Sequence, residues 1–249
     1  MGPKQVVHHR ELTHPYAVGY PPGLMFRLVL FDIDGTLIST EGAGVKAFAQ
    51  TSAEIYGLPE ATKGMSFAGR TDRALVELIF SQNSIEITEA KIEQFFTAYL
   101  ERLSHFLPTD NTSPLPGVME LLEKMRQSQP PPVIGLLTGN HSQGARLKLN
   151  HYHIWDEFEM GAFGDKTTDR NIVALEALAW AKERWDDIRP EEILVIGDTE
   201  RDIQCARAIG AKVLAVATGH VSMEELQESG PDWASIDLLA KNLPQFGLI

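Results

Sequence analysis

Short apolar runs that alternate with helical patterns constrain this chain more than any other feature. LMFRLVLF (24–31), VIGLLTGN (133–140), FEMGAF (158–163), ILVIGD (193–198) and KVLAVAT (212–218) are too continuously apolar for a strand with one wet face. They read as strands buried on both sides, as in the middle of a parallel sheet. Helical patterns at 142–150, 170–184 and 200–209, the last closed by Gly210, separate the later runs. That rhythm predicts right-handed βαβ crossovers and an α/β, doubly wound parallel sheet. Ser222 followed by Glu225 is a capping-box signature for one more short helix.

The rhythm has one long interruption. No strand pattern occurs between Asp34 and Pro114, where three helices are expected at 42–56, 72–82 and 88–104. The first places Val45, Phe48, Ala49, Ser52, Ile55 and Tyr56 on one face, with Gly57 as its stop. Asp72 opens the second, and the aromatic stripe of the third reads as packed interior. The expected organisation is a core of residues 26–40 and 114–249, interrupted by an all-helical insert over 41–113 and preceded by an extension, 1–25.

Composition narrows the function classes. A net charge of −12 in 249 residues leaves no basic surface for nucleic acid. No apolar run is long enough for a membrane span, and residues 1–25 lack a secretory apolar block, so a cytoplasmic protein acting on a small molecule is expected. The lone cysteine, Cys205, cannot form an internal disulfide and reads as a packed thiol.

In doubly wound sheets ligands bind beyond the carboxyl ends of the strands. Those ends carry Asp32 and Asp34, then Thr138, then Asp198 and Asp202. Any one of these could be a turn former or a helix cap, and Thr199 could simply cap helix 200–209. Convergence at three strand ends is harder to assign to capping. Asp32 and Asp34 stand two residues apart, and like charges at about 4 Å repel by roughly 4 kcal/mol at an effective dielectric of 20. Such a pair requires compensating positive charge.

FDIDGTL (31–37), LLTGN (136–140) and IGDTERD (196–202) resemble motifs one, two and four of the haloacid dehalogenase-like hydrolases, in the expected order. The helical insert resembles the cap of phosphoglycolate phosphatase-like members. The resemblance implies a phosphatase of small phosphomonoesters, with Asp32 as nucleophile and Asp34 as general acid and base. It implies Mg²⁺ held by the Asp32 side chain, the Asp34 backbone carbonyl and Asp198, with Asp202 joining directly or through water. Thr138, Gly139 and Asn140 would bind the phosphoryl group, and Gly35 would let the backbone approach it. The chain departs from the pattern at motif three, where no Lys-Pro pair follows FEMGAF. Lys166 and Arg170 are the candidate cations in GDKTTDRN, and Arg170 is favoured because it leads directly into a helix. An arginine fork can bind two phosphoryl oxygens where an ammonium acts as a point charge. In the insert, SFAGRTD (66–72) resembles a substrate-facing cap loop, which makes Arg70 and Thr71 candidates for the leaving group; Glu41, Gly42 and Gly44 lie where a hinge is expected. A phosphomutase using the same aspartates, and a noncatalytic phosphate-binding module, are the alternative readings.

Overall fold

The computed structural model describes residues 26–109 and 113–243, so the expectation for residues 1–25 lies outside the described residues. Six strands form one sheet: β1 (Leu28–Phe31), β2 (Val133–Leu137), β3 (Met160–Ala162), β4 (Ile193–Gly197), β5 (Lys212–Val216) and β6 (Trp233–Ser235). Their order is β3-β2-β1-β4-β5-β6, and every pairing is parallel. The chain winds outward from β1 to β3, then returns to start β4 on the other side of β1. The resulting switch point between β1 and β4 is where such sheets open a crevice.

The sheet is buried on both faces because the strand pleat sends alternate residues to two cores. Val29 and Phe31 of β1 pack with Leu194 and Ile196 of β4 against helices α4 (Val118–Gln127) and α5 (Ser142–His151). Leu28 and Leu30 pack with Ile193 and Val195 against α6 (Arg170–Arg184) and α7 (Glu200–Ile209). Cys205 is fully buried in this second core, where burial pushes its thiol up to about 12 and leaves it inert. A short helix α8 (Met223–Glu228) begins at the expected Ser222–Glu225 box. Strand β6 was not anticipated, since three residues, WAS, carry too little pattern to register.

Between β1 and α4 lie α1 (Ala43–Tyr56), α2 (Asp72–Gln82) and α3 (Glu89–Phe106), which share their own apolar cluster built on Phe48, Phe80, Phe95, Phe96 and Tyr99. Fully burying one such aromatic stabilises by about 1.5–3 kcal/mol. The buried face of α1 is Ala43, Ala47, Phe48, Thr51 and Ser52, whereas Val45 and Ile55 are exposed. The expected face is therefore rotated. Ala43, Ala47 and Thr51 face inward beside Phe48, which packs on Phe95 and Tyr99 of α3. Among the described residues no helix is long and apolar enough to cross a membrane.

Candidate active site

The ladder between β1 and β4 continues one residue past β1: the Asp32 N–H donates to the Ile196 carbonyl at 2.9 Å. This brings the end of β1 beside the end of β4. Gly35 then turns the chain at φ +84°, and a Cβ there would lie 2.4 Å from Asp198 Oδ2. Glycine is needed at this position for conformation and for space. Thr36 Oγ1 donates to Asp198 Oδ1 at 3.2 Å.

Among the described residues, Asp32, Asp198 and Asp202 form a buried acidic group whose ligand oxygens lie within 4.8 Å of one another. Arg170, at the start of α6, is itself buried and places a guanidinium nitrogen 3.1 Å from Asp32 Oδ2 and in contact with Asp202 Oδ1. One guanidinium cannot balance three carboxylates. Burial and the neighbouring Asp202 and Asp32 push Asp198 up to about 8. Burial likewise pushes Asp202 up to about 6, against the pull of Arg170. A dry, all-oxygen, net negative group fits a hard divalent cation. Asp202 also accepts from the Thr199 N–H (3.0 Å) and hydroxyl (2.7 Å), so it caps α7 while facing Arg170.

Asp34 faces the opposite way. Its Oδ2 accepts from Lys148 Nζ at 2.6 Å and Asn140 Nδ2 at 2.9 Å, and its Oδ1 from Thr40 Oγ1 at 3.3 Å. Burial pushes this carboxyl up, but the Lys148 charge and these hydrogen bonds outweigh it and hold Asp34 below the usual carboxylate value. Each aspartate of the pair thus has a cation of its own, Arg170 on one side and Lys148 on the other. Thr138 ends β2 fully buried, and its hydroxyl oxygen accepts from the Asn140 N–H (3.3 Å) and Nδ2 (2.9 Å). Strand ends from β1, β2 and β4 meet at one edge of the sheet. A family profile described as haloacid dehalogenase-like hydrolase matches residues 29–216, most of the chain.

The chain belongs to the haloacid dehalogenase-like hydrolases. Among similar chains, a phosphoglycolate phosphatase of Chromobacterium violaceum is 27% identical, covering 80% of this hydrolase and 89% of the relative. A phosphoglycolate phosphatase of Vibrio vulnificus is 28% identical over 87% of this chain and 94% of its own. A crystal structure of CbbY from Rhodobacter sphaeroides in complex with phosphate superposes with a TM-score of 0.64 at 16% identity, covering 87% of this hydrolase and 96% of that chain. That likeness concerns the fold.

Two other expected positions separate in this hydrolase. Lys166 is exposed and makes no ion pair with a described carboxylate, whereas Arg170 reaches two. Thr71 is buried and is the N-cap of α2, accepting from the Ala74 N–H at 3.1 Å, and Asp72 opens the helix as expected. The insert docks on the loops after β2 and β3 through backbone and the Asp72 side chain. The Asp72 N–H donates to the Gly139 carbonyl at 2.7 Å, the Arg73 N–H to the Gly164 carbonyl at 3.2 Å, and the His141 N–H to Asp72 Oδ2 at 2.7 Å. A Cβ on Gly139 would sit 2.1 Å from the Arg70 carbonyl oxygen. At the exit from β1, Glu41 (φ 51°) and Gly42 (φ 76°) are consecutive left-handed residues, at the expected hinge.

Sequence reasoning missed four contributors. Lys148 lies on the buried face of α5 with Gly144, Ala145 and Leu149, and a lysine on an inward stripe was the available signal. Thr40 follows the turn with no motif to mark it. Thr218 donates to the Gly35 carbonyl at 2.5 Å, and a Cβ on Gly219 would sit 1.7 Å from Asp198 Oδ2. Both follow β5, so extending the strand-end rule to that fifth strand would have found them.

Proposed function

We propose that this hydrolase is a Mg²⁺-dependent phosphatase of small phosphomonoesters that works through an aspartyl-phosphate intermediate. The observation that carries the proposal is the junction of β1, β2 and β4, which brings a buried acidic group, two oppositely placed cations and a buried threonine to one sheet edge. The similarity to phosphoglycolate phosphatases supports the phosphatase reading.

In this reading an Asp32 oxygen attacks phosphorus, the bond to the ester oxygen breaks, and Asp34, which takes up a proton as the phosphate dianion enters and opposes the pull of Lys148, delivers that proton to the departing alkoxide. Asp34 then takes a proton from water as that water attacks phosphorus, which releases phosphate and regenerates Asp32. Arg170 holds the nucleophile's orientation and offsets phosphoryl charge. Thr138, with the backbone of Gly139 and Asn140, orients the phosphoryl oxygens. Asp32, Asp198 and the Asp34 carbonyl would hold Mg²⁺, with Asp202 supporting them. The bound cation would neutralise charge that otherwise keeps a phosphate dianion away from the carboxylates. The helices of residues 41–113 act as the cap that selects the leaving group, turning at Glu41 and Gly42.

The test is phosphate release from a panel of phosphomonoesters with and without Mg²⁺, run beside Asp32→Asn. Turnover that needs Mg²⁺ and disappears in Asp32→Asn is expected. Turnover that persists in Asp32→Asn would overturn the nucleophile, and isomerised sugar phosphate without net release would favour a mutase.

A further inference from the structure

In the phosphatase reading the loop after β2 meets the phosphoryl group with its backbone, so the directions of its peptide planes decide what it can hold. Two such planes flank Asn140. A trans peptide points its carbonyl and its N–H in opposite directions, and fixing one end of the plane aims the other. In the plane between Gly139 and Asn140, the carbonyl accepts from the Asp72 N–H at 2.7 Å and the N–H reaches Thr138 Oγ1 at 3.3 Å. In the plane between Asn140 and His141, the N–H donates to Asp72 Oδ2 at 2.7 Å and the carbonyl accepts from the Gly164 N–H at 2.9 Å. Asp72, a residue of the insert, therefore holds one end of both planes.

The surroundings of this junction are tight. Asp72 is 8% exposed. A Cβ on Gly164 would lie 2.2 Å from the Gly139 carbonyl oxygen and 2.7 Å from Thr71 Cβ, so the loops after β2 and β3 and the start of α2 meet with room for no further side chain. Asn140 passes the arrangement on to the proton carrier: its Nδ2 donates to Asp34 Oδ2 at 2.9 Å, and its Oδ1 accepts from Lys148 Nζ at 2.6 Å. Gly139 adds an independent sign. It is buried, and its N–H donates to none of the described residues, whereas buried backbone donors are nearly always paired. The planes on its C-terminal side are held from the insert, and that N–H is left for a phosphoryl oxygen.

We propose that Asp72 is a positioning residue for phosphoryl binding, aiming the backbone of Gly139 and Asn140 by holding both peptide planes around Asn140. The loop is competent only while the insert is docked, so the insert completes the phosphoryl-binding loop in addition to covering the leaving group. Phosphate binding and docking then favour each other. Asp72 acts as a hydrogen-bond acceptor, and an amide in its place retains that role. This inference rests on the phosphatase reading and adds a residue to its machinery.

The experiment titrates inorganic phosphate by calorimetry, with excess Mg²⁺, into the wild type, Asp72→Asn and Asp72→Ala, and assays the same proteins on ethyl phosphate and phosphoglycolate. Asp72→Asn keeps an acceptor for the His141 N–H, whereas Asp72→Ala keeps only the backbone donor to Gly139. Phosphate affinity is expected to fall about tenfold or more in Asp72→Ala and to stay within about threefold of the wild type in Asp72→Asn. The values of kcat/KM for the two esters should fall in Asp72→Ala by the same factor. Inorganic phosphate has no leaving group, so a residue that merely held the insert in place would leave this affinity unmoved and change the ratio between the esters instead. Unchanged phosphate affinity in Asp72→Ala, an equal loss in Asp72→Asn, or a wild type that binds no phosphate would overturn the proposal. A measurement on the unaltered protein covers a failure of Asp72→Ala to fold: phosphate should slow hydrogen exchange at the Asp72 and His141 amides, and unchanged exchange there would overturn the coupling. If the wild type binds phosphate but turns over no ester, the phosphatase reading fails by itself. The role of Asp72 then stands or falls on the phosphate titration.

Discussion

Lys148 Nζ lies 2.6 Å from Asp34 Oδ2 and 2.6 Å from Asn140 Oδ1, with the lysine side chain only 4% exposed. The second aspartate of the pair is thereby turned away from the first and fixed in place. A group that must deliver and accept protons at one oxygen depends on that orientation. Lys148→Ala is expected to lower phosphate release at least tenfold, with the loss mainly in kcat. Lys148→Arg should recover part of it. The Asp34 side chain is 39% exposed and keeps Asn140 and Thr40 as partners, so the stability loss should stay at about 1–2 kcal/mol. Steady-state kinetics and urea unfolding on the three proteins check both numbers.

Arg170 and Lys166 make opposite predictions. Removing Arg170 leaves Asp32 and Asp202 buried without their cation, a change that typically destabilises by about 3–5 kcal/mol. Arg170→Ala should therefore lose both activity and several degrees of melting temperature. Lys166→Ala should retain activity and stability within error, because its side chain is exposed and makes no ion pair with a described carboxylate. A loss of turnover confined to Lys166→Ala would reverse this assignment.

Gly35 holds a left-handed conformation directly against the Asp198 carboxylate. Gly35→Ala adds a methyl group 2.4 Å from Asp198 Oδ2 at φ +84°, so strain of order 1–3 kcal/mol is expected. The displaced carboxylate should also weaken divalent-cation binding more than tenfold. Calorimetric Mg²⁺ titration and thermal unfolding separate the two effects.

Asp72 gives a pH signature. Burial pushes its carboxyl from 3.8 up to about 6, although Lys148 and the His141 N–H pull the other way. Asp34 and Asp165 add to the upward push. Between about pH 4 and pH 6 the native state then binds more protons at this site than the unfolded chain. Its contribution to stability falls as pH rises through that window. Asp72→Asn removes the titration while keeping an acceptor for His141. The variant should gain on the wild type by roughly 1–3 kcal/mol as pH rises from 4 to 7.5, read from urea midpoints.

The acidic group predicts how metal removal acts. Asp198 and Asp202 are pushed up to about 8 and about 6, both above the ordinary 3.8. Metal-free protein should therefore lose stability as pH rises from about 4 toward 8. Mg²⁺ favours the ionised carboxylates, so the increase in melting temperature at 10 mM Mg²⁺ should be larger at pH 8 than at pH 5.5. Chelation should remove the increase, and Asp198→Asn should abolish it.

Much of the architecture was legible along the chain. The boundaries of α2, α6 and α7 were read correctly because apolar periodicity and helix-stop residues are local signals. The strand ends carrying Asp32, Thr138 and Asp198 followed from continuous apolar runs, which only a sheet covered on both faces can bury. Strand β6 was too short to be seen, and the buried face of α1 was misplaced because Ala43, Ala47 and Thr51 flank Phe48 on the inward side while the apolar Val45 and Ile55 face solvent.

The sequence by itself determined the order of strands and helices, the acidic strand ends and the need for opposing charge. Tertiary structure separated Arg170, already favoured by the sequence, from Lys166 and added Lys148, which no motif marked. Lys148 stands 114 residues from Asp34, and Arg170 joins Asp32 to Asp202 across two crossovers. Local pattern encodes which residues are buried, whereas pairing between distant charges depends on how parallel strands bring their ends together.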